Sequence, residues 1–158
     1  MTESPTFLTP AALEKLQDEL EQLKTRGRAE IEDRIAEARS HGDLRENADY
    51  DAAKNDQGLM EARIRKLEHL INTAEVREVE DTGKVEIGSV VRVIDSDGDE
   101  MEYFVAPQEN KVAGLFLASP SSPLGAALIG RVVGDEVAYQ APVGTLTVQI
   151  KSVRPYEG

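Results

Sequence analysis

The chain has no cysteine and no tryptophan, only two histidines, and far fewer basic than acidic side chains: 18 Lys and Arg against 30 Asp and Glu, for a formal charge of -12. Without cysteine there is neither a disulfide framework nor a thiolate metal site, which fits a reducing compartment. The shortage of positive charge argues against unassisted binding of duplex DNA, because affinity for phosphate is carried mainly by Lys and Arg. Any contact with nucleic acid is therefore expected to be local or arranged by another protein. No stretch approaches the roughly 20 apolar residues of a membrane span, and the opening MTESPTFLTP lacks the basic start and apolar core of a secretory leader. These absences lead to the expectation of a soluble, cytoplasmic protein.

Proline is missing too, but only from one half. From residue 11 to 78 there is none, and Ala, Leu, Glu, Lys, Arg and Gln dominate, all good helix formers. From Gly83 onward Val, Gly and Pro become frequent and short alternating runs appear, the pattern of β-structure. The expectation is an α+β chain of two domains, 1–80 helical and 81–158 β-rich, joined by VEDTGK at 79–84.

The helical half starts with Thr9 as N-cap and Pro10 in the first helical position. Its apolar seam runs Leu13, Leu16, Leu20, Leu23, Gly27, Ile31, Ile35, Ala38. A second seam runs Ala53, Gln57, Met60, Ile64, Leu67, Ile71, Ala74, with the alternating steps of four and three that mark a heptad. In an antiparallel hairpin, opposed positions have numbers that add to a constant. Ala38 with Ala53, Ile31 with Met60, Gly27 with Ile64 and Leu20 with Ile71 all give 91, and the remaining pairs give 90 or 92. The pattern predicts one long hairpin centred near Arg45 and Glu46, with arms of roughly 28 residues reaching about 40 Å. At Gly27 the first seam steps by four three times in succession, a stutter that locally unwinds a supercoil.

The hairpin's centre falls within HGDLRENADYDAAK, residues 41–54, where acids gather. Gly42 suits a left-handed helix end, with the reversal complete by about Asn47. Two interpretations stand side by side. Asp43 and Asn47 serve as caps, with Glu46, Asp49 and Asp51 favoured by the positive end of the second helix. Alternatively, Asp43 and Glu46 are ligands offered to a site elsewhere. One or two carboxylates hold magnesium only weakly, since it takes six oxygens and keeps its water. Beside a metal site built by another protein, however, they can help recruit an ion for phosphodiester hydrolysis. A cap tolerates Asp43→Asn, whereas a metal ligand does not. His41 titrates near neutral pH, but an exposed histidine at a helix C-terminus is explained by the dipole.

In the β-rich half, 90–105 reads as a hairpin turning at Asp95 to Asp99 and 137–153 as another turning at Pro142 to Gly144. The acids of DSDGDE resemble a calcium loop, but the glycine falls at position four from Asp95 and no acid follows at twelve, so they are turn chemistry. Ser122 as cap, Pro123 in the first position and Gly130 as stop predict a short helix.

Three segments, LTPAALEKLQDELEQLK at 8–24, GDLRENADYDAAKNDQG at 42–58 and SSPLGAALIGRVVGDEV at 121–137, resemble the Gre family of bacterial transcript cleavage factors over nearly the whole chain. The resemblance implies a coiled-coil hairpin and an FKBP-like C-terminal domain that docks on RNA polymerase. It further implies that the hairpin enters the secondary channel, where Asp43 and Glu46 share a Mg2+ ion with the polymerase as it cleaves backtracked nascent RNA. By the same resemblance Gly42, Leu44, Asn47 and Tyr50 shape the tip, and Ser121, Ser122 and Pro123 bind polymerase. The common tip form is DLSENAEY; this chain has Arg45 and Asp49 instead of the serine and second glutamate, and Ser121 where the docking motif carries an amide or acid. The implied factor is a monomer, holds no cofactor alone, binds free duplex DNA weakly or not at all, and is not itself an enzyme. An isomerase function, which the FKBP-like fold raises, is disfavoured by the scarcity of aromatics to line a proline pocket. Two alternatives remain: an inhibitory homologue that occupies the channel, and a coiled-coil interaction protein whose acids only cap the hairpin.

Overall fold

The protein is described by a computed structural model covering residues 5–40 and 44–157, with backbone alone for 44–47. Element order is β1 (Phe7–Leu8), α1 (Pro10–Gln22), a π-helical turn (Leu23–Gly27), α2 (Arg28–Ser40), α3 (Leu44–Thr73), β2 (Glu75–Val76), β3 (Ser89–Asp95), β4 (Glu100–Val105), a 3-10 turn (Gln108–Asn110), β5 (Phe116–Ala118), α4 (Pro123–Leu128), β6 (Glu136–Ala141) and β7 (Gly144–Pro155). Among the described residues no helix is long and apolar enough to cross a membrane. Two compact units result: Leu13–Ala74, and the chain up to Ala12 together with Glu75 onward.

The first unit is the helical hairpin. Every residue of the two seams from Leu13 to Ala38 and from Ala53 to Ala74 is buried or half-buried, while their flanks are mostly exposed. Leu67 is fully covered and Ala53, Ile64, Ile31 and Leu16 nearly so. The stutter appears as the π-helical turn, whose extra residue lets the seam stay on the facing side. Thr25, inside that turn, returns its hydroxyl to the Glu21 carbonyl at 2.8 Å. A side chain at Gly27 would press on Met60 Sδ at 3.0 Å, so the close neighbour is Met60 and not the Ile64 that the register arithmetic pairs with it.

Ion pairs tie the arms along their flanks. Arg28 forks onto Glu61 (Nε–Oε1 2.9 Å, Nη2–Oε2 3.0 Å), Arg34 meets Asp56 at 3.0 Å and Lys24 meets Glu68 at 3.3 Å. The Arg28 fork holds the Glu61 carboxyl below its ordinary range. These side chains are exposed or half-buried, so they set register more than they add stability.

The second unit is a curled five-stranded sheet in the order β5-β4-β3-β7-β6, antiparallel except for the β4–β5 pair. Both hairpins read from the alternating runs are present, as β3–β4 and β6–β7. Central β3 is buried on both faces at Ser89, Val90 and Val91. One face carries Val91, Val93, Val105 and Ile150 against Leu128 of α4. On the other, Phe104 stacks with Tyr156 at 4.5 Å between ring centroids. Asp95 Oδ1 accepts from the backbone N–H of Asp97 and Asp99, both at 2.9 Å, which is the turn chemistry expected of that acidic loop.

Residues 5–12 join this unit through a buried asparagine. Thr9 N–H donates to Asn110 Oδ1 at 2.9 Å, and Asn110 Nδ2 donates to the carbonyls of Phe7 (2.9 Å) and Pro107 (3.2 Å). Thr9 also caps α1, its Oγ1 accepting from Ala12 N–H at 3.1 Å. β1 pairs in parallel with β2, Phe7 with Glu75 and Leu8 with Val76.

Truncating the fully buried Leu67 to Ala is expected to cost about 2–5 kcal/mol. Leu59→Ala, at a position 65% exposed, should stay within about 0.5 kcal/mol of wild type. Denaturant unfolding followed by helical circular dichroism compares the two, and equal losses would mean the seam is not the hairpin's core.

Candidate functional site

Of the tip residues singled out in the sequence, His41, Gly42 and Asp43 lie outside the described residues. Leu44, Arg45, Glu46 and Asn47 form the opening turn of α3. The second helix thus begins about three residues earlier than a reversal ending at Asn47 implies, because Leu, Arg and Glu propagate a helix readily and an acid is favoured in its first turn. Asn47 consequently sits inside the helix and is not its N-cap.

Tyr50 is the tip residue whose surroundings are on view. It is half-buried, and the guanidinium of Arg39, in the last turn of α2, lies 5.4 Å from its ring centroid. Arg39 Nη2 also donates to the Tyr50 hydroxyl at 3.3 Å. That hydrogen bond, with the positive charge behind it, favours the phenolate and lowers the Tyr50 pKa. Tyr103, in the β-rich unit, is shifted the other way by burial, then by Tyr139 and Asp95. Arg39 was not among the residues picked from sequence, although its number and that of Tyr50 add to 89, close to the register constant.

The second candidate segment, Ser121 to Pro123, lies in the β-rich unit. Ser122 has extended backbone (φ -77°, ψ 156°), and its Oγ accepts from Gly125 N–H at 3.1 Å, the N-cap expected, with Pro123 following in the first turn. The same Oγ donates to the Ser119 carbonyl at 2.6 Å. Ser122 is therefore fully engaged in shaping the loop. Ser121 and Pro123 are exposed, and the Ser121 hydroxyl bonds only its neighbour Ser119 Oγ, at 2.9 Å. Gly125 is buried directly against the Ser119 carbonyl, so that an added methyl would collide with backbone. Ser119 and Gly125 are the residues that reading by motif missed; neither carries a recognition group, and both act by fixing the shape of SPSSP. A cavity of about 350 Å3 opens beside Ser119, Pro120 and Ser121, lined also by Phe7, Arg77 and Pro107.

Comparison with known proteins bears on both segments. Residues 6–76 match the family described as transcription elongation factor, N-terminal, and residues 80–155 that described as transcription elongation factor, GreA/GreB, C-term. The chain belongs to the GreA/GreB family of transcription elongation factors. It is 42% identical over 159 residues to transcription elongation factor GreA of Thermoanaerobacter pseudethanolicus, covering 95% of this chain and 98% of that one. Its identity to the GreA of Streptomyces coelicolor is 40% over 161 residues, 99% and 98% of the two chains. Among solved structures it is similar to GreA factor homolog 1 of Thermus thermophilus, at 29% identity and a TM-score of 0.44 over 95% of this chain and 99% of that one. The expected architecture of this family, a long helical hairpin with a β-rich C-terminal domain, is the one observed.

Two measurements test the local chemistry. In an alkaline titration followed by phenolate absorbance, Tyr50 should ionise ahead of Tyr103. Tyr50→Phe should remove one phase and Arg39→Gln should move that phase to higher pH; a curve that Arg39→Gln leaves unchanged would refute the contact. For the loop, Gly125→Ala should destabilise the β-rich unit by about 1–3 kcal/mol, measured by thermal melting, because the intruding methyl meets a carbonyl and not a flexible side chain.

Proposed function

We propose that this elongation factor binds RNA polymerase, carries its hairpin tip into the secondary channel and stimulates the polymerase's own cleavage of backtracked RNA, acting in the cytoplasm and without being an enzyme itself. The observation that carries the proposal is the acid pair Asp43 and Glu46 at the junction where α2 gives way to α3, the far end of a 30-residue helix. Capping and the helix dipole account for the residue types there, but not for arms of this length.

The donor set fits a hard divalent cation in kind and falls short of it in number. Asp43 and Glu46 supply carboxylate oxygens, the ligand type magnesium prefers, but not its six positions, so they complement ligands contributed by the polymerase. When bound between the two proteins, the ion would activate a water for attack on the phosphodiester. Asp43 and Glu46 would hold and orient it, and Arg45 stands between them in the sequence. Leu44 and Asn47 belong to the turn that carries Glu46. At the docking end the chemistry is one of shape: Ser122 spends its hydroxyl on Gly125 and Ser119, leaving the Ser121 hydroxyl and the Pro123 ring as the groups presented to a partner.

Backtracked elongation complexes with magnesium provide the test, with polymerase binding followed in parallel. Wild type should accelerate RNA cleavage, while the double change Asp43→Asn and Glu46→Gln should bind equally well and leave cleavage near the factor-free rate. Binding without any stimulation by wild type would make the protein a channel-occluding homologue. Failure to bind at all would return the tip acids to the role of caps.

A further inference from the structure

The five-stranded sheet has two outer strands, and they are protected unequally. An outer strand offers unpaired N–H and C=O groups to any extended chain, and proteins blunt it by shortness, lysine, proline or a bulge. β5 is blunted by shortness, being three residues long. β6 runs for six, Glu136–Ala141, with no lysine or proline in it and an unbroken register against β7. Its one charged side chain is Glu136, and residues 137–150 carry none in a chain that is 30% charged. Exposed apolar side chains gather in the same stretch: Ile129, Val132, Val133, Val143 and Leu146 are five of the eight large ones among the described residues.

The hairpin turn decides which backbone groups of β6 are free. Ala141 faces Gly144 across the two-residue turn Pro142–Val143, and the pair that flanks such a turn is hydrogen-bonded. Bonded and unbonded pairs alternate from there, so Tyr139 and Val137 bond to β7, and Ile150 N–H continues the series onto the Asp135 carbonyl at 3.0 Å. Glu136, Ala138 and Gln140 therefore turn their N–H and C=O groups outward, where no strand lies among the described residues. Their side chains are exposed as well.

A second copy of β6 fits this edge. Two antiparallel strands related by a twofold axis bond all three outward residues of each when Ala138 meets its own counterpart and Glu136 lies opposite Gln140 on both sides. Val137 then lies opposite Tyr139. Alignments shifted one way bring the two Glu136 side chains towards each other, and those shifted the other way set an outward residue against Pro142, which has no N–H to give. For a chain of formal charge -12, an edge with no charge beyond Glu136 is where two copies approach with little repulsion.

We infer that β6 is a self-association edge, through which two copies of this chain join their β-rich units into one continuous sheet. Such association departs from the monomer that the family resemblance implies, and it is independent of the role proposed for the tip. Because six-residue strands alone bury less than the roughly 1,200 Å2 of a stable interface, the dimer is weak and depends on concentration.

The test is sedimentation velocity on the full chain over a rising concentration series, with circular dichroism to confirm folding. Wild type should shift from monomer towards dimer. Ala138→Pro removes an outward N–H that the fold itself does not use, a change that an edge strand tolerates, and should keep the protein monomeric. Gln140→Glu should weaken the dimer and Gln140→Lys strengthen it, each by roughly two- to thirtyfold, because symmetry places two such residues opposite Glu136. Gln22→Lys in α1 changes the net charge equally, away from the edge, and should leave the dimer constant near its wild-type value. Since the chain has no cysteine, Ala138→Cys probes the register cleanly. Its two copies would stand about 5.5 Å apart at Cα and should cross-link on oxidation, whereas Asp97→Cys in the β3–β4 turn should not. A wild type that stays monomeric throughout, Gln140 variants that move together, or equal cross-linking at both positions would overturn the inference. So would an Ala138→Pro variant that loses polymerase binding while self-association is unaltered, since the edge would then belong to another protein.

Discussion

One register governs the hairpin, and the placement of the tip depends on it. Two apolar seams can meet in only one alignment that keeps both buried, because sliding a helix by one residue turns its face by about 100° and carries the seam away from its partner. Leu67, Ile64 and Ala53 from one arm and Ile31 and Leu16 from the other are buried only in this alignment. The flanking pairs of Arg28 with Glu61 and Arg34 with Asp56 are made at that register, and pairs of this kind favour an alignment that they scarcely stabilise. The π-helical turn at Leu23–Gly27 belongs to the same constraint. A seam that advances by four residues three times drifts off the contact line, and one extra residue in the helical turn corrects the drift without breaking the helix.

The β-rich unit solves a different problem, that of a short N-terminal strand with little apolar area of its own. Leu8 and Phe7 are buried, but two residues of parallel pairing cannot hold a chain in place. Asn110 supplies the remainder. Nearly inaccessible to solvent, its side chain hydrogen-bonds backbone groups of Phe7, Thr9 and Pro107. Its neighbour in those bonds, Thr9, is also the residue that starts α1, so anchoring the strand and starting the helix are one event.

Much of this was legible in the sequence wherever the information is periodic or local. The seams repeat over many turns, so their burial could be read residue by residue, and the caps at Thr9 and Ser122 follow from residue type within four positions of chain. Both hairpins of the sheet came from alternation. Strands β1, β2 and β5 escaped because two or three residues are too few to show a period. Asn110 escaped for the opposite reason: its partners lie 101 and 103 residues away, and nothing near it announces them. At the tip, residue types identified Asp43 and Glu46 as acids worth explaining, whereas Arg39 gained significance only through the side chain it meets across the hairpin. The start of α3 was misjudged because Asn47 suits a cap by type, while the good helix formers before it allow the helix to begin sooner.

The parallel ladder of β1 with β2 brings the point where the chain leaves the β-rich unit beside the point where it returns. Topologically the hairpin is an insertion, a closed excursion whose two ends are stitched together before it begins. Such an excursion can be lengthened or shortened by whole heptads, or exchanged for another of the same end-to-end spacing, without disturbing the sheet to which it is attached. The stitch lets the reach of the rod and the identity of its tip vary separately from the β-rich unit, so that one body can evolve to carry different instruments.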